Sequence, residues 1–353
     1  MENIAQLKDA ITKIENNQGE FYFLTINTKG VQKASVAMNY ELVRMLTQKG
    51  YTAHIMHQEE DYTEPDWLGE EYTGLSHKCI SRNEIQVSAS DTVFIPEIYG
   101  SVLEQIKTFP CEKIIFCQSY DYIFETLQPG VTWTHYGINR CLTTCESQKA
   151  YLESIMPGLS VEVIPFYFPE YFEQPKAPKP PVIAIHTREA RDTAKIIKTF
   201  YVKYPQFRWI AFKDMRNLPR KKFAEALQET CVSVWVDDIS GFGTFPLESM
   251  KSGVPVIGKI PNLKPEWLEE DNGFWTYDFN SLVDVINAYV KTWLEDSVPE
   301  TLYEKMDSTV SKYTSETQSE MLLEYFDSLF TEKAVDIENA LNKFKETEEQ
   351  DNE

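Results

Sequence analysis

The stretch "GFGTFPLESMKSGVPVIG", residues 241–258, sets glycines, two prolines and a lone acid between apolar runs. Its left flank, "CVSVWVDD" (231–238), is a short β-rich apolar run closed by charge, the pattern of a buried strand. Pro246 suits the first turn of a helix, where its missing N–H leaves no bond unmade. Gly253 suits the position just past the helix end, in the left-handed conformation glycine tolerates. "VPVIG" (254–258) then reads as the next buried strand. Strand, glycine loop, short helix, strand is the expectation. It aims free backbone N–H groups at one point beyond a sheet's carboxyl edge, a point suited to a phosphate.

The same alternation runs along the chain. Upstream, "FYFLTI" (21–26), "YTAHIM" (51–56), "DTVFIPE" (91–97), "EKIIFCQ" (112–118), "RCLTTC" (140–145) and "VEVIPFY" (161–167) read as strands. Helical stretches lie between them at 36–50, 101–109 and 146–156, and an amphipathic helix spans 1–17 with Ile4, Leu7, Ile11 and Ile14 on one stripe. Five prolines in the 14 residues "FPEYFEQPKAPKPP" (168–181) predict a stiff extended linker. Strands at 182–186 and 207–212 and helices at 190–203 and 220–229 follow, leading into the opening motif. Long amphipathic helices are expected at 281–295 and 315–330.

The reading is α/β: two doubly wound, Rossmann-like parallel-sheet domains facing a central cleft. Residues 1–167 form the first domain, 168–181 the linker and 182–312 the second domain. Residues 313–344 form C-terminal helices and 345–353 an acidic tail. Phe330, Ala334, Ile337, Leu341 and Phe344 recur at heptad-like spacing. That seam packs either on the chain's own N-terminal domain or N-terminal helix, or on another copy or partner.

The 353-residue chain carries 34 Lys and Arg against 55 Asp and Glu, a formal net charge of −21. Such a field repels polyanions and argues against nucleic acid and anionic membrane surfaces as partners. None of the six cysteines forms a CxxC pair, so they read as small hydrophobes. No apolar run approaches roughly 18 residues and no signal pattern opens the chain, so no transmembrane segment and a cytoplasmic location are expected.

The motif resembles the nucleotide-sugar signature of GT-B glycosyltransferases, in particular the retaining family 4 type: acid, any residue, Phe-Gly, four residues, acid, then a helix and "GxPVI". The resemblance implies a sugar donor of the nucleoside-diphosphate class as substrate, with no cofactor and no metal. Gly241, Gly243 and Thr244 would offer backbone N–H groups to the diphosphate. Glu248 matches the second acid and would accept hydrogen bonds from the ribose hydroxyls. The first acid of the signature falls at Ser240, with Asp237 and Asp238 just upstream as substitutes or strand caps. Where the family often carries a His, this chain reads "QSYD" (118–121).

Two phosphates also need cations. In "HTREARDTAK" (186–195), Arg188 fits the family's Arg, and Lys195 or Arg191 its Lys. Lys213 in "FKDMR" (212–216) is a further candidate, and Glu266 borders the sugar. Lys29, Gly30 and Glu97 are candidates on the acceptor side, while His186 reads as structural. The expected activity is sugar transfer to an acceptor hydroxyl, retaining and metal-independent. The alternative is a catalytically inactive nucleotide-sugar-binding partner subunit, with a sugar-nucleotide epimerase a further option.

Overall fold

Runs of β-branched and aromatic residues, each followed by an amphipathic helix, can bury both faces of a parallel sheet. The structure, a computed structural model, describes residues 9–13, 19–173, 179–216 and 218–350, the side chains of 340, 341 and 343–350 excepted. In the first half, the elements are β1 (Glu20–Leu24), α1 (Ala34–Gln48), β2 (Thr52–His57), β3 (His77–Cys79), β4 (Thr92–Pro96), β5 (Glu112–Cys117), β6 (Arg140–Thr143), α2 (Glu146–Ile155) and β7 (Ser160–Val163). The sheet runs β3-β2-β1-β4-β5-β6-β7, with parallel pairing throughout. Its strand order reverses between β1 and β4, which opens a crevice at their carboxyl ends.

The second half holds β8 (Val182–Thr187), α3 (Ala190–Lys203), β9 (Ala211–Asp214), α4 (Arg220–Gln228), β10 (Val232–Val236), α5 (Thr244–Lys251), β11 (Val256–Lys259), β12 (Phe274–Thr276), α6 (Leu282–Leu294), α7 (Glu300–Val310) and α8 (Ser315–Gln350). Its parallel sheet runs β12-β11-β10-β8-β9, reversing between β8 and β10. Residues just past the two reversal points face one another. Thr25, Glu97 and Arg188 line one cavity between the domains, and Arg188 and Asp237 another.

Several expectations are corrected in detail. The strand expected at 207–212 lies at Ala211–Asp214, because Pro205–Phe207 closes a tight 3₁₀ turn first. The helix expected at 101–109 is a 3₁₀ turn, Glu97–Val102, running into one α-turn, Leu103–Ile106. The described part of the proline segment is no free extended linker. Glu170–Phe172 form a 3₁₀ turn, and Phe168 and Phe172 are buried in the second domain's core. Residues 174–178 lie outside the described residues, as do Ile4, Leu7 and Ile14 of the expected N-terminal stripe.

Helix α8 returns to the first domain. Its Leu322, Phe326, Leu329 and Phe330 complete the core beside Phe21 and Phe94, with the Phe326 ring 4.7 Å from Phe21, edge to face. Ile337 joins the same cluster, and Ala334 packs against it, as does Ile11 of the short 9–13 helical segment. The seam therefore meets the chain's own first domain over this span; the side chains of Leu341 and Phe344 lie outside the described residues.

Lys333, only 5% exposed, fastens the helix to the start of β4. Its ammonium donates to Ser90 O at 2.7 Å, Asp91 O at 2.9 Å and Thr92 Oγ1 at 3.0 Å. Lys333→Met keeps the apolar stem but strands those acceptors. It should cost about 2–3 kcal/mol, read as a lower urea midpoint at unchanged m-value.

Candidate active site

The segment after β10 is shaped by its own side chains. Asp237 Oδ1 accepts the N–H groups of Ile239 at 2.9 Å and Ser240 at 3.0 Å, turning the chain sharply out of the sheet. Asp238 instead pairs with Lys259 Nζ at 2.5 Å. The indole N–H of Trp267 donates to Phe242 O at 2.6 Å and holds the loop from beneath. Gly243, at φ +72°, opens α5; a Cβ there would lie 2.8 Å from the Trp235 ring. No side chain caps α5, so the N–H groups of its first turn that Pro246 does not remove are available to a ligand. Gly253 closes the helix at φ +60°.

Above this loop lies a cavity of about 390 Å³ between the domains. Glu248 reaches it from α5, Arg188 from the end of β8, Arg216 from beyond β9 and Arg220 from the first turn of α4. Burial pushes the Glu248 carboxyl up to about 7, against the opposing pull of Arg220. Arg216 is held by Asp214, its Nε 2.9 Å and 3.0 Å from the two carboxylate oxygens, and it draws the Asp214 pKa down. The Arg188 guanidinium crosses the cleft, donates to the Tyr122 hydroxyl and lies over that ring. His186 stacks on Phe245 with 5.0 Å between ring centres, and burial lowers its pKa, so it is neutral at pH 7. Its Nδ1 is buried without a hydrogen-bond partner.

Of the residues expected from sequence, Arg188, Ser240, Gly243, Thr244 and Glu248 meet at this cavity. Others stand elsewhere. Lys195 pairs with Asp192 at 3.2 Å and sits over the Phe279 ring. Lys213 pairs with Glu229 at 3.3 Å. Gly30 and Lys29 form an exposed turn with positive φ, beside the cleft and not on its wall. Glu266 accepts from the N–H and hydroxyl of Ser147 at the start of α2, both at 3.3 Å.

Gly241 is an inter-domain contact. A Cβ there would lie 2.3 Å from the Gln148 carboxamide, which is fully buried and held by Tyr120 N–H and Thr144 Oγ1. The Cys145 thiol also reaches Gly241 O, at 3.4 Å. All six cysteines are buried and free.

Sequence reasoning missed Arg216 and Arg220. Their signal was the four-residue spacing in "RNLPR" (216–220) after a strand of the second domain. Among the described residues no group of three or more His, Cys, Asp or Glu gathers as metal ligands would, and no helix is long and apolar enough to cross a membrane.

This two-sheet architecture is the GT-B fold. It is similar to that of sucrose-phosphate synthase from Thermosynechococcus elongatus, at TM-score 0.66 and 13% identity over 89% of this chain and 99% of that one. It is similar also to the pneumococcal O-GlcNAc transferase GtfA in complex with UDP and GlcNAc, at TM-score 0.64 and 8% identity over 89% and 99% of the two chains. Anabaena HepE in complex with UDP-glucose gives TM-score 0.64 and 11% identity over 88% and 99%. No protein-family model and no curated protein matches the sequence.

Two outcomes follow from this geometry. Gly241→Ala overpacks the contact with Gln148 and should cost about 1–3 kcal/mol, seen as a lower melting temperature. Because Glu248 is shifted up, the folded protein keeps a proton that the unfolded chain releases. Relative to Glu248→Gln, the wild type should lose stability as pH rises from 4.5 to about 7, with a flat difference outside that window, measured by urea unfolding across pH.

Proposed function

We propose that this chain is a glycosyltransferase that moves a sugar from a nucleoside-diphosphate donor to an acceptor hydroxyl. One observation carries the reading: three arginines, an uncapped helix start and an acid converge on one inter-domain cavity in a chain of net charge −21. In this reading the first-turn N–H groups of α5 and the guanidinium groups of Arg188, Arg216 and Arg220 hold the diphosphate. Glu248 accepts the ribose hydroxyls. The acceptor approaches from the first domain. As the sugar–phosphate bond breaks, negative charge grows on the leaving diphosphate, and fixed cations bind that state better than the ground state. The UDP and UDP-glucose in the GtfA and HepE structures support the reading by analogy of fold.

We take the reaction to be retaining and independent of added metal, with arginines and amides neutralising the diphosphate. Ser240 replaces the acid that the family signature carries, and its N–H is bonded to Asp237, so its contribution is the shape of the loop. Lys195 and Lys213 act in this scheme only if they leave their present partners, and Arg220 takes the place expected of them.

The first test is a thermal-shift screen with UDP, GDP and ADP, followed by turnover with the matching nucleotide sugars. A diphosphate should stabilise the protein. Glu248→Ala should weaken its binding about tenfold or more. Arg188→Ala should lower turnover about a hundredfold, whereas Tyr122→Phe, which removes only the partner hydroxyl, should not. Turnover should persist in EDTA, and NMR of the product should show the donor's anomeric configuration.

A further inference from the structure

A second cavity, of about 170 Å³, lies on the first domain's side of the cleft. Its wall carries Asn39 from α1, Glu97 from the end of β4 and Gln118 from the end of β5, at 3%, 5% and 7% exposure. Asn39 Nδ2 donates to Leu24 O at 3.2 Å, and Gln118 Nε2 donates to Ser35 O at 3.1 Å. Those two bonds fix which way each amide faces. They leave Asn39 Oδ1 and Gln118 Oε1 shielded from water with no hydrogen-bond partner. Glu97 Oε1 accepts the Ser119 N–H at 2.9 Å, which leaves acceptor capacity on its carboxyl. Arg188, Ser240 and Thr244 of the second domain close the opposite side, so the two cavities share a wall.

We infer that this second cavity binds the acceptor as an uncharged, hydroxyl-rich ring, a neutral sugar or polyol. The inference rests on the glycosyltransferase reading and adds the chemical class of its acceptor. An oxygen without a partner is a cost that a ligand bringing donors relieves once the amide turns to meet it, and each hydroxyl of a sugar is such a donor. A phosphate or a carboxylate brings only acceptors when ionised and would set them against the Asn39 and Gln118 oxygens, beside a Glu97 carboxyl that burial pushes up to about 7. Two cations also touch this cavity. Lys33 is exposed at the start of α1, and Arg188 is engaged with Tyr122 and shared with the larger cavity. Both also line the larger cavity, so they belong to the wall that the two cavities share.

The test uses the full chain saturated with the nucleoside diphosphate that binds it. Glucose, galactose, mannose and N-acetylglucosamine are titrated by calorimetry, beside glucose 6-phosphate and glucuronate. At least one neutral sugar should bind roughly tenfold more tightly than either charged one. Glu97→Gln and Gln118→Leu should each weaken that sugar about fivefold or more while the diphosphate binds as before. Circular dichroism checks folding, and the near-isosteric Glu97→Gln carries the test if Gln118→Leu does not fold.

Equal or tighter binding of glucose 6-phosphate or glucuronate overturns the proposal. So does the absence of binding by every neutral sugar, or unchanged affinity in a folded variant. A final arm replaces the diphosphate with a phosphonate analogue of the nucleotide sugar. If that abolishes neutral-sugar binding, the cavity holds the donor's own ring and the proposal fails. Failure of the glycosyltransferase reading shows separately, as no diphosphate binding at all; the sugar titrations are then run on the free protein and judged alone.

Discussion

Everything in the cleft depends on aromatic rings pressed against main chain. Trp235 leaves β10 fully buried, with its ring 6.1 Å from Trp267 and 6.4 Å from Trp275. Where these rings meet the backbone there is no room for a side chain: a Cβ on Gly258 would lie 2.7 Å from Trp275, as one on Gly243 would crowd Trp235. A close-packed apolar floor does not deform, so the loop above it has one path. What that path presents to the cleft is bare amide. The opening motif thus encodes two things at once: glycines where the rings come close, and, in the helix that the loop begins, a proline in the first turn and an acid at the start of the second.

The second constraint is electrostatic and runs against the global charge. An acidic surface repels any anion at long range, while guanidinium groups from three separate elements gather at the cleft. Arginine suits this better than lysine, because its planar fork keeps its charge when buried and matches phosphate oxygens in pairs. Asp214 holds Arg216 in place, and Tyr122 holds Arg188 from the opposite domain. A charge so held needs little reorganisation when an anion arrives.

The fold was legible because strand and helix periods alternate so regularly, and the loop was legible because glycine and proline each have narrow uses. What escaped was tertiary. Ending a strand at 212 placed Lys213 at the sheet's edge. The strand in fact runs to Asp214, so Lys213 lies within it and Arg216 beyond it. Shifts of this kind re-aim side chains, since successive residues face opposite sides. Lys195 was placed by distance along the sequence, but its i–3 partner Asp192 and the nearby Phe279 ring decide where it stands. β3 and β12, of three residues each, are too short to show any period. The role of Gly241 could not be read at all, because its neighbour Gln148 is 93 positions away.

Helix α8 has a consequence for how the molecule is made. A ribosome releases β1 to β7 first, yet a wall of their core is built from Leu322, Phe326 and Leu329, the far end of the chain. Between the emergence of β7 and that of α8 lie some 150 residues, roughly eight to thirty seconds of synthesis. Through that interval Phe21 and Phe94 lack their final cover. The second domain, whose core draws on Cys145 and on residues from Phe168 to Val310, has its parts together sooner. Birth order and completion order are therefore reversed, and the nascent first half is the stage at which a chaperone has something apolar to hold.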